Sequence, residues 1–171
     1  MADERMSFVA IIGGFYSLDP AVEDEAKSVA QDLGAALAAA GFGLVVYFSD
    51  DKSLEPHVVS GYVAHRSEGL PPGAIRVRYS EGQRGQVEFI EETTNKDLFH
   101  HRIFPREDWE APFYRSLVEA EGVDAVLLMA GGRSTLIAGQ VAVARKLPIL
   151  AIDHFEGSAR EIWKELAEAS S

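Results

Sequence analysis

The stretch Asp124-Ala-Val-Leu-Leu-Met-Ala-Gly-Gly-Arg-Ser-Thr-Leu-Ile-Ala-Gly139 passes without transition from apolar residues into two glycines, a cation and two hydroxyls. Val126 to Met129 suit a central parallel strand covered on both faces, because only such a strand tolerates an unbroken apolar run. Gly131 and Gly132 then permit a sharp turn and the close approach of a ligand to bare backbone. Ser134 and Thr135 fall where the next helix begins, so their hydroxyls and the free N–H groups of its first turn can converge on an anion such as phosphate. Arg133 adds a planar fork of donors suited to phosphate or carboxylate. The plainer reading is that Gly-Gly serves only the turn that any α/β protein needs between strand and helix.

The same strand-to-glycine break occurs near the start. Ser7 to Ile12 reads as a strand, and Gly13-Gly14-Phe15-Tyr16-Ser17 follows it directly. Asp19-Pro20 marks a helix start, with Asp19 placed to cap free N–H groups and Pro20 at the first helical position. Apolar residues from Val22 to Ala40 recur at three- and four-residue steps, which predicts a helix over about 20–40 that Gly41 ends. Further along, strands are expected at Phe42 to Phe48, Ala74 to Tyr79, Asp124 to Met129 and Leu147 to Ile152. Helices are expected at Leu54 to His65, Trp109 to Glu121, about Leu136 to Lys146, and Ser158 to Ala169. Gln86 to Arg106 is the least legible part: a short strand at Val87 to Ile90 is one reading, and irregular structure is expected over the rest. The β-α alternation predicts an α/β fold, Rossmann-like and doubly wound, with a mainly parallel sheet and helices on both faces.

The chain has 171 residues, 47% of them hydrophobic and 25% charged, enough for one good core and short for two, so residues 1–171 are expected to form a single domain. A net charge of −11 disfavours a surface that grips duplex nucleic acid. The absence of cysteine excludes disulfides, thiolate metal sites and a cysteine nucleophile, and is compatible with a cytoplasmic setting. The charged start Met1-Ala-Asp-Glu-Arg5 lacks the apolar core of a secretory signal, and no run is long and apolar enough for a membrane span. The protein is therefore expected to be soluble, with no membrane partner.

Ligands of an open parallel sheet bind beyond the carboxyl ends of its strands, where the strand order reverses. That rim collects Gly13, Gly14, Phe15, Tyr16, Gly131, Gly132, Arg133, Ser134, Thr135, Phe155 and Ser158. Glycine loops to hold phosphate, with Phe15, Tyr16 and Phe155 to stack on a flat base, match a phosphorylated sugar bearing a base; ordinary packing under loops is the alternative for each aromatic. His100-His101 diverge in any regular element and there is no H-E-x-x-H pattern, so no metal or other cofactor is expected. Arg76 and Arg78 project to one face of a strand, there to reach a phosphate or, more simply, to pair with surplus surface acids. Neither G-x-G-x-x-G nor G-x-x-x-x-G-K-[ST] is present, which disfavours an ordinary dinucleotide dehydrogenase and an NTPase.

The pairing of Ile11-Ile-Gly-Gly-Phe-Tyr16 with Asp124-Ala-Val-Leu-Leu-Met-Ala-Gly-Gly-Arg-Ser-Thr135 resembles the SLOG superfamily, Rossmann-like domains related to the LOG phosphoribohydrolases and to DprA. Phe155-Glu-Gly-Ser-Ala159 resembles the closing segment of its sensor-type members, such as the Thoeris anti-phage effector. The LOG pattern P-G-G-x-G-T-x-x-E ends in a glutamate that takes part in cleaving an N-glycosidic bond. Here the corresponding residues run from Ala130 to Ala138, and the methyl of Ala138 can neither accept a proton nor stabilise positive charge. The resemblance implies a sensor domain for an NAD-related ligand such as ADP-ribose or its cyclic form, without a catalytic residue in this motif, and a homodimer. An N-glycosidase with a carboxylate displaced to Glu81, Glu88, Asp50 or Asp153 is the rival expectation, and a scaffold with a vestigial pocket the third.

Overall fold

The computed structural model describes residues 5–65, 69–119 and 122–170. Six strands, β1 (Phe8–Gly14), β2 (Gly43–Val46), β3 (Ile75–Ser80), β4 (Phe99–Phe104), β5 (Ala125–Ala130) and β6 (Ile149–Ile152), form one parallel sheet in the order β4-β3-β2-β1-β5-β6. Five α-helices cover it: α1 (Pro20–Ala39), α2 (Glu55–Ala64), α3 (Glu110–Val118), α4 (Arg133–Ala144) and α5 (Ser158–Ala169). The chain winds outward from β1 to β4, then returns to lay β5 on the other side of β1. The strand order therefore reverses between β1 and β5, as the Rossmann-like reading expects.

Alternate residues of each strand feed two cores. Val9, Ile11, Leu44, Val46, Leu127 and Met129 pack with Ala26 and Ala30 of α1 and with Val58, Val59 and Tyr62 of α2. Ala10, Ile12, Val45, Val126 and Leu128 face the other way, onto Phe113 and Leu117 of α3, Ala138 and Ala142 of α4, and Ile162 of α5. Both faces being buried, β5 carries an apolar residue at every position, and that is why its sequence announces it so clearly. The helices α1 and α2 cross at backbone contact: a Cβ on Gly34 would stand 2.0 Å from the Val58 carbonyl oxygen, and one on Gly61 1.9 Å from that of Gln31.

Helix α1 ends as its sequence requires. Gly41 adopts φ 79°, its N–H donates to Ala38 O, and the Phe42 N–H donates to Leu37 O, so the last carbonyls are satisfied by a left-handed turn. Its start differs from expectation: the side chain of Asp19 makes no capping bond, and Lys52 and Lys27 instead bind Glu23 in the first turn. The middle of the chain needs a larger correction. Phe99–Phe104 is a full strand at the sheet edge, paired residue for residue with β3 from Ile75↔Phe99 to Ser80↔Phe104. Solvent reaches it, so His100 and Arg102 replace the apolar run that marks an inner strand. Val87 to Ile90 forms no strand; Val87 and Phe89 drop into the first core, and short 3-10 turns follow at Ile90–Thr93 and Lys96–Leu98. The helix after the second glycine pair starts at Arg133, three residues earlier than Leu136. The expected end of α3 near Glu121 lies outside the described residues. Among the described residues, no helix is long and apolar enough to cross a membrane.

Candidate functional site

The two glycine turns meet at the reversal point. Gly14 pairs with Ala130 in register, and the Gly131 N–H donates to Gly14 O at 3.0 Å. Such proximity is possible only without side chains. A Cβ on Gly13 would stand 2.0 Å from Met129 O, and one on Gly131, held at φ 81°, 2.1 Å from Thr135 Oγ1. Ala130 is forced to φ 50°, a conformation that costs a residue with a Cβ free energy and that clusters at ligand sites. The start of α5 braces the turn from behind: the Ser158 N–H donates to Gly131 O at 3.0 Å and its hydroxyl to Gly132 O at 2.7 Å.

In front of the turns lies a cleft of about 290 Å³. Gly13, Gly14, Gly131 and Gly132 form its floor with Ser134 and Thr135 from the first turn of α4, whose amides no side chain caps. Tyr16, Phe48 and Trp109 wall it, the last two in edge-to-face contact with ring centres 5.6 Å apart. Asp50, Ser17 and Ser53 complete the lining, and among the described lining residues Asp50 is the one that carries a charge.

The loop carrying Asp50 is fixed on several sides. Ser53 bridges to Gly14, the Phe15 N–H donates to Lys52 O at 2.7 Å, and Leu54 N–H to Gly13 O at 3.2 Å. Lys52 and Lys27 bind Glu23 of α1, and Lys27 also holds Asp51 at 2.6 Å. Asp50 itself accepts from the Tyr16 hydroxyl at 2.6 Å, the Ser53 hydroxyl at 2.7 Å and the Lys52 N–H at 3.2 Å. The Tyr16 bond keeps the phenol protonated and pushes its pKa up to about 12. Beneath the loop, buried Glu55 accepts the N–H groups of Phe48 at 2.7 Å and Tyr47 at 3.2 Å. Burial pushes the Glu55 carboxyl up to about 8 against the opposing pull of its own backbone amide and of those two.

The expected site residues divide into three groups. Gly13, Gly14, Tyr16, Gly131, Gly132, Ser134 and Thr135 line the cleft together. Ser158 lies behind the turn as a brace. Phe15 and Phe155 are corrections: at 0% and 2% exposure both rings belong to the core under α1 and α2 and offer no face to a base. Arg133 is a correction of another kind, since it is exposed, outside the cleft lining, and on the side of Tyr114. The aromatic wall comes instead from Phe48 and Trp109. Phe48 follows β2 at the carboxyl rim, so the rim rule was sufficient to find it. Trp109 precedes α3 and reads in sequence only as part of that helix's apolar stripe. Among the described residues, no three His, Asp or Glu side chains gather in a way that would hold a metal ion.

No protein-family model matches the chain, and no curated protein matches it. Solved structures do resemble it. The protein TM1055 superposes with TM-score 0.62 at 17% identity, over 92% of this chain and 80% of the other. The Moco carrier protein from Chlamydomonas reinhardtii gives 0.62 at 12% identity, over 96% and 86%. DNA processing protein A from Helicobacter pylori, described with a single-stranded DNA binding mode, gives 0.59 at 13% identity, over 93% and 72%. Identities this low speak to the fold alone, a Rossmann-like α/β arrangement around a six-stranded parallel sheet.

Proposed function

We propose that this domain binds a small molecule made of a flat heterocycle joined to a phosphorylated sugar, an NAD-related compound such as ADP-ribose or its cyclic form being the first class to test, and that it senses this ligand without cleaving it. The observation that carries the reading is the junction of Gly14 with Gly131 beside the uncapped start of α4, facing Phe48 and Trp109 across one cleft. Bare amides and the helix dipole suit a phosphate, the rings suit a base, and a carboxylate after the second strand suits ribose hydroxyls. The volume of about 290 Å³ fits a single nucleotide-sized moiety, with the remainder of a larger ligand in solvent. That the Moco carrier protein shares the fold is consistent with a ligand-carrying role.

Asp50 lines the cleft and Glu55 lies buried beneath its loop, outside the lining, and both are already engaged. Asp50 accepts three hydrogen bonds that shape its loop, and Glu55 accepts two backbone amides beneath it. These engagements hold both carboxyl groups in structural roles, which supports binding over hydrolysis. Titration of Trp109 fluorescence with ADP-ribose, cyclic ADP-ribose and AMP tests the proposal, with Trp163→Phe removing the other indole. Saturable quenching without release of free base is expected. Absence of any response at millimolar ligand overturns the binding reading, and release of base overturns the sensor reading in favour of an N-glycosidase.

A further inference from the structure

A second cleft, of about 620 Å³, opens on the sheet face beside the carboxyl end of α3. Its floor is built by register. Arg78 of β3 pairs with Arg102 of β4, and Arg76 pairs with His100, so the four side chains share one face on adjacent strands. Arg5 adds a further cation at the margin, and among the described lining residues Glu119 is the only acid. Arg102 meets Glu119 at 3.4 Å, but that carboxylate also binds Arg115, so one negative charge is divided between two guanidinium groups. For a chain with a net charge of −11, four arginines around one groove are a pronounced concentration.

Arg78 is the informative member. Only 8% of it is exposed, it lines the groove, and its buried Nη1 has no hydrogen-bond partner. Its neighbours are held differently: the guanidinium of Arg76 lies 3.5 Å from the ring centre of Phe8, and that of Arg102 4.5 Å from that of Phe104. A guanidinium removed from water without a counter-charge is destabilising, and like charges beside it make matters worse. Burial first, then Arg76 and Arg102, pull its pKa down to about 10, which leaves it charged at neutral pH. The expectation that this arginine simply pairs with surface acids is therefore not met. The groove is distinct from the glycine cleft, because α3 separates them, with Trp109 before its start at one and Ser116 near its end at the other.

We propose that this groove is a second ligand site, which takes a compact polyanion such as the phosphate or pyrophosphate group of a small molecule between Arg78, Arg102 and Arg76. Planar forks from two adjacent strands present paired donors to the oxygens of such a group, and the anion supplies the partner that Arg78 Nη1 lacks.

The test is calorimetric titration and thermal unfolding of the full chain with pyrophosphate at constant ionic strength, sodium chloride serving as the control. Saturable binding is expected in the wild type and in Ser134→Ala, which alters only the glycine cleft. Arg102→Gln, at a half-exposed position, should weaken the affinity at least tenfold. Arg78→Met should abolish binding while raising the melting temperature of the anion-free protein, because it removes an uncompensated charge. Absence of saturable binding in the wild type overturns the proposal. So does binding that survives both arginine variants, or that is lost in Ser134→Ala alone, which would move the anion to the glycine cleft. A change of molecular mass in solution on Arg102→Gln, without anion binding in the wild type, would assign the groove to contact between copies of the chain. None of these outcomes depends on the identity of the ligand in the glycine cleft.

Discussion

Adjacent glycines in the second turn are subject to opposite constraints, and alanine at each separates them. At Gly131, φ is 81° and an added Cβ would lie 2.1 Å from Thr135 Oγ1 and 2.6 Å from Thr135 Cβ. The left-handed conformation costs alanine about 1–2 kcal/mol, and forcing a buried neighbour aside adds about 1–3 kcal/mol. For a domain of this size each kcal/mol lowers the melting temperature by about 2–4 °C, so Gly131→Ala should lose roughly 5–20 °C. Gly132 has φ −110° and no atom within 4 Å of the position a Cβ would take. Gly132→Ala should therefore change stability by no more than about 0.5 kcal/mol. Differential scanning calorimetry of the two variants beside the wild type decides the matter. Equal losses, or an unperturbed Gly131→Ala, would refute the derivation of the turn from close backbone approach.

Because Gly132→Ala keeps the fold and adds a methyl to the cleft lining, it should weaken binding of the nucleotide-type ligand by at least several-fold in the same fluorescence titration. Glu55 has a folded-state pKa of about 8 against an ordinary 4.5, so the folded protein holds the proton more tightly than the unfolded chain. The contribution is complete below about pH 4.5 and is lost as pH rises through about 8. Stability should accordingly fall between pH 5 and pH 8 by up to about 5 kcal/mol, and chemical denaturation of Glu55→Gln should show that slope flattened. Asp50→Asn should return the Tyr16 phenol from about 12 toward 10, which a tyrosinate absorbance titration reads directly. Leu128 is fully buried between β5 and the helices above it, so Leu128→Ala should cost about 2–5 kcal/mol by urea unfolding.

What could be read from the sequence follows how strongly each element's surroundings constrain its residues. The strand β5 is buried on both faces and bounded by a glycine turn, so apolarity and punctuation both identify it. The helix α1 carries a proline start and a glycine end, and both stand where expected. The edge strand β4 has solvent on part of its surface and mixes histidine, arginine and phenylalanine, so neither a continuous run nor a clean alternation survives. Gly13 and Gly131 of the candidate site were legible because close approach admits no side chain there. Of its aromatic wall Tyr16 was legible and Trp109 was not, since Phe15 and Trp109 belong to the same residue class and only the packing decides that the first points inward and the second lines the cleft. Arg133 misled for a related reason: adjacency to a glycine turn does not fix the direction of a long side chain on the first turn of a helix.

The register Gly14↔Ala130 joins residues that lie 116 positions apart in the chain. No N-terminal fragment that stops short of β5 can contain the cradle, however well β1 to β4 associate. Loop closure over that span must precede any native contact between the two turns, and parallel pairings of such long range form late and slowly. During synthesis the proposed binding function is thus withheld until most of the chain has emerged, and a premature stop yields a chain without the cradle.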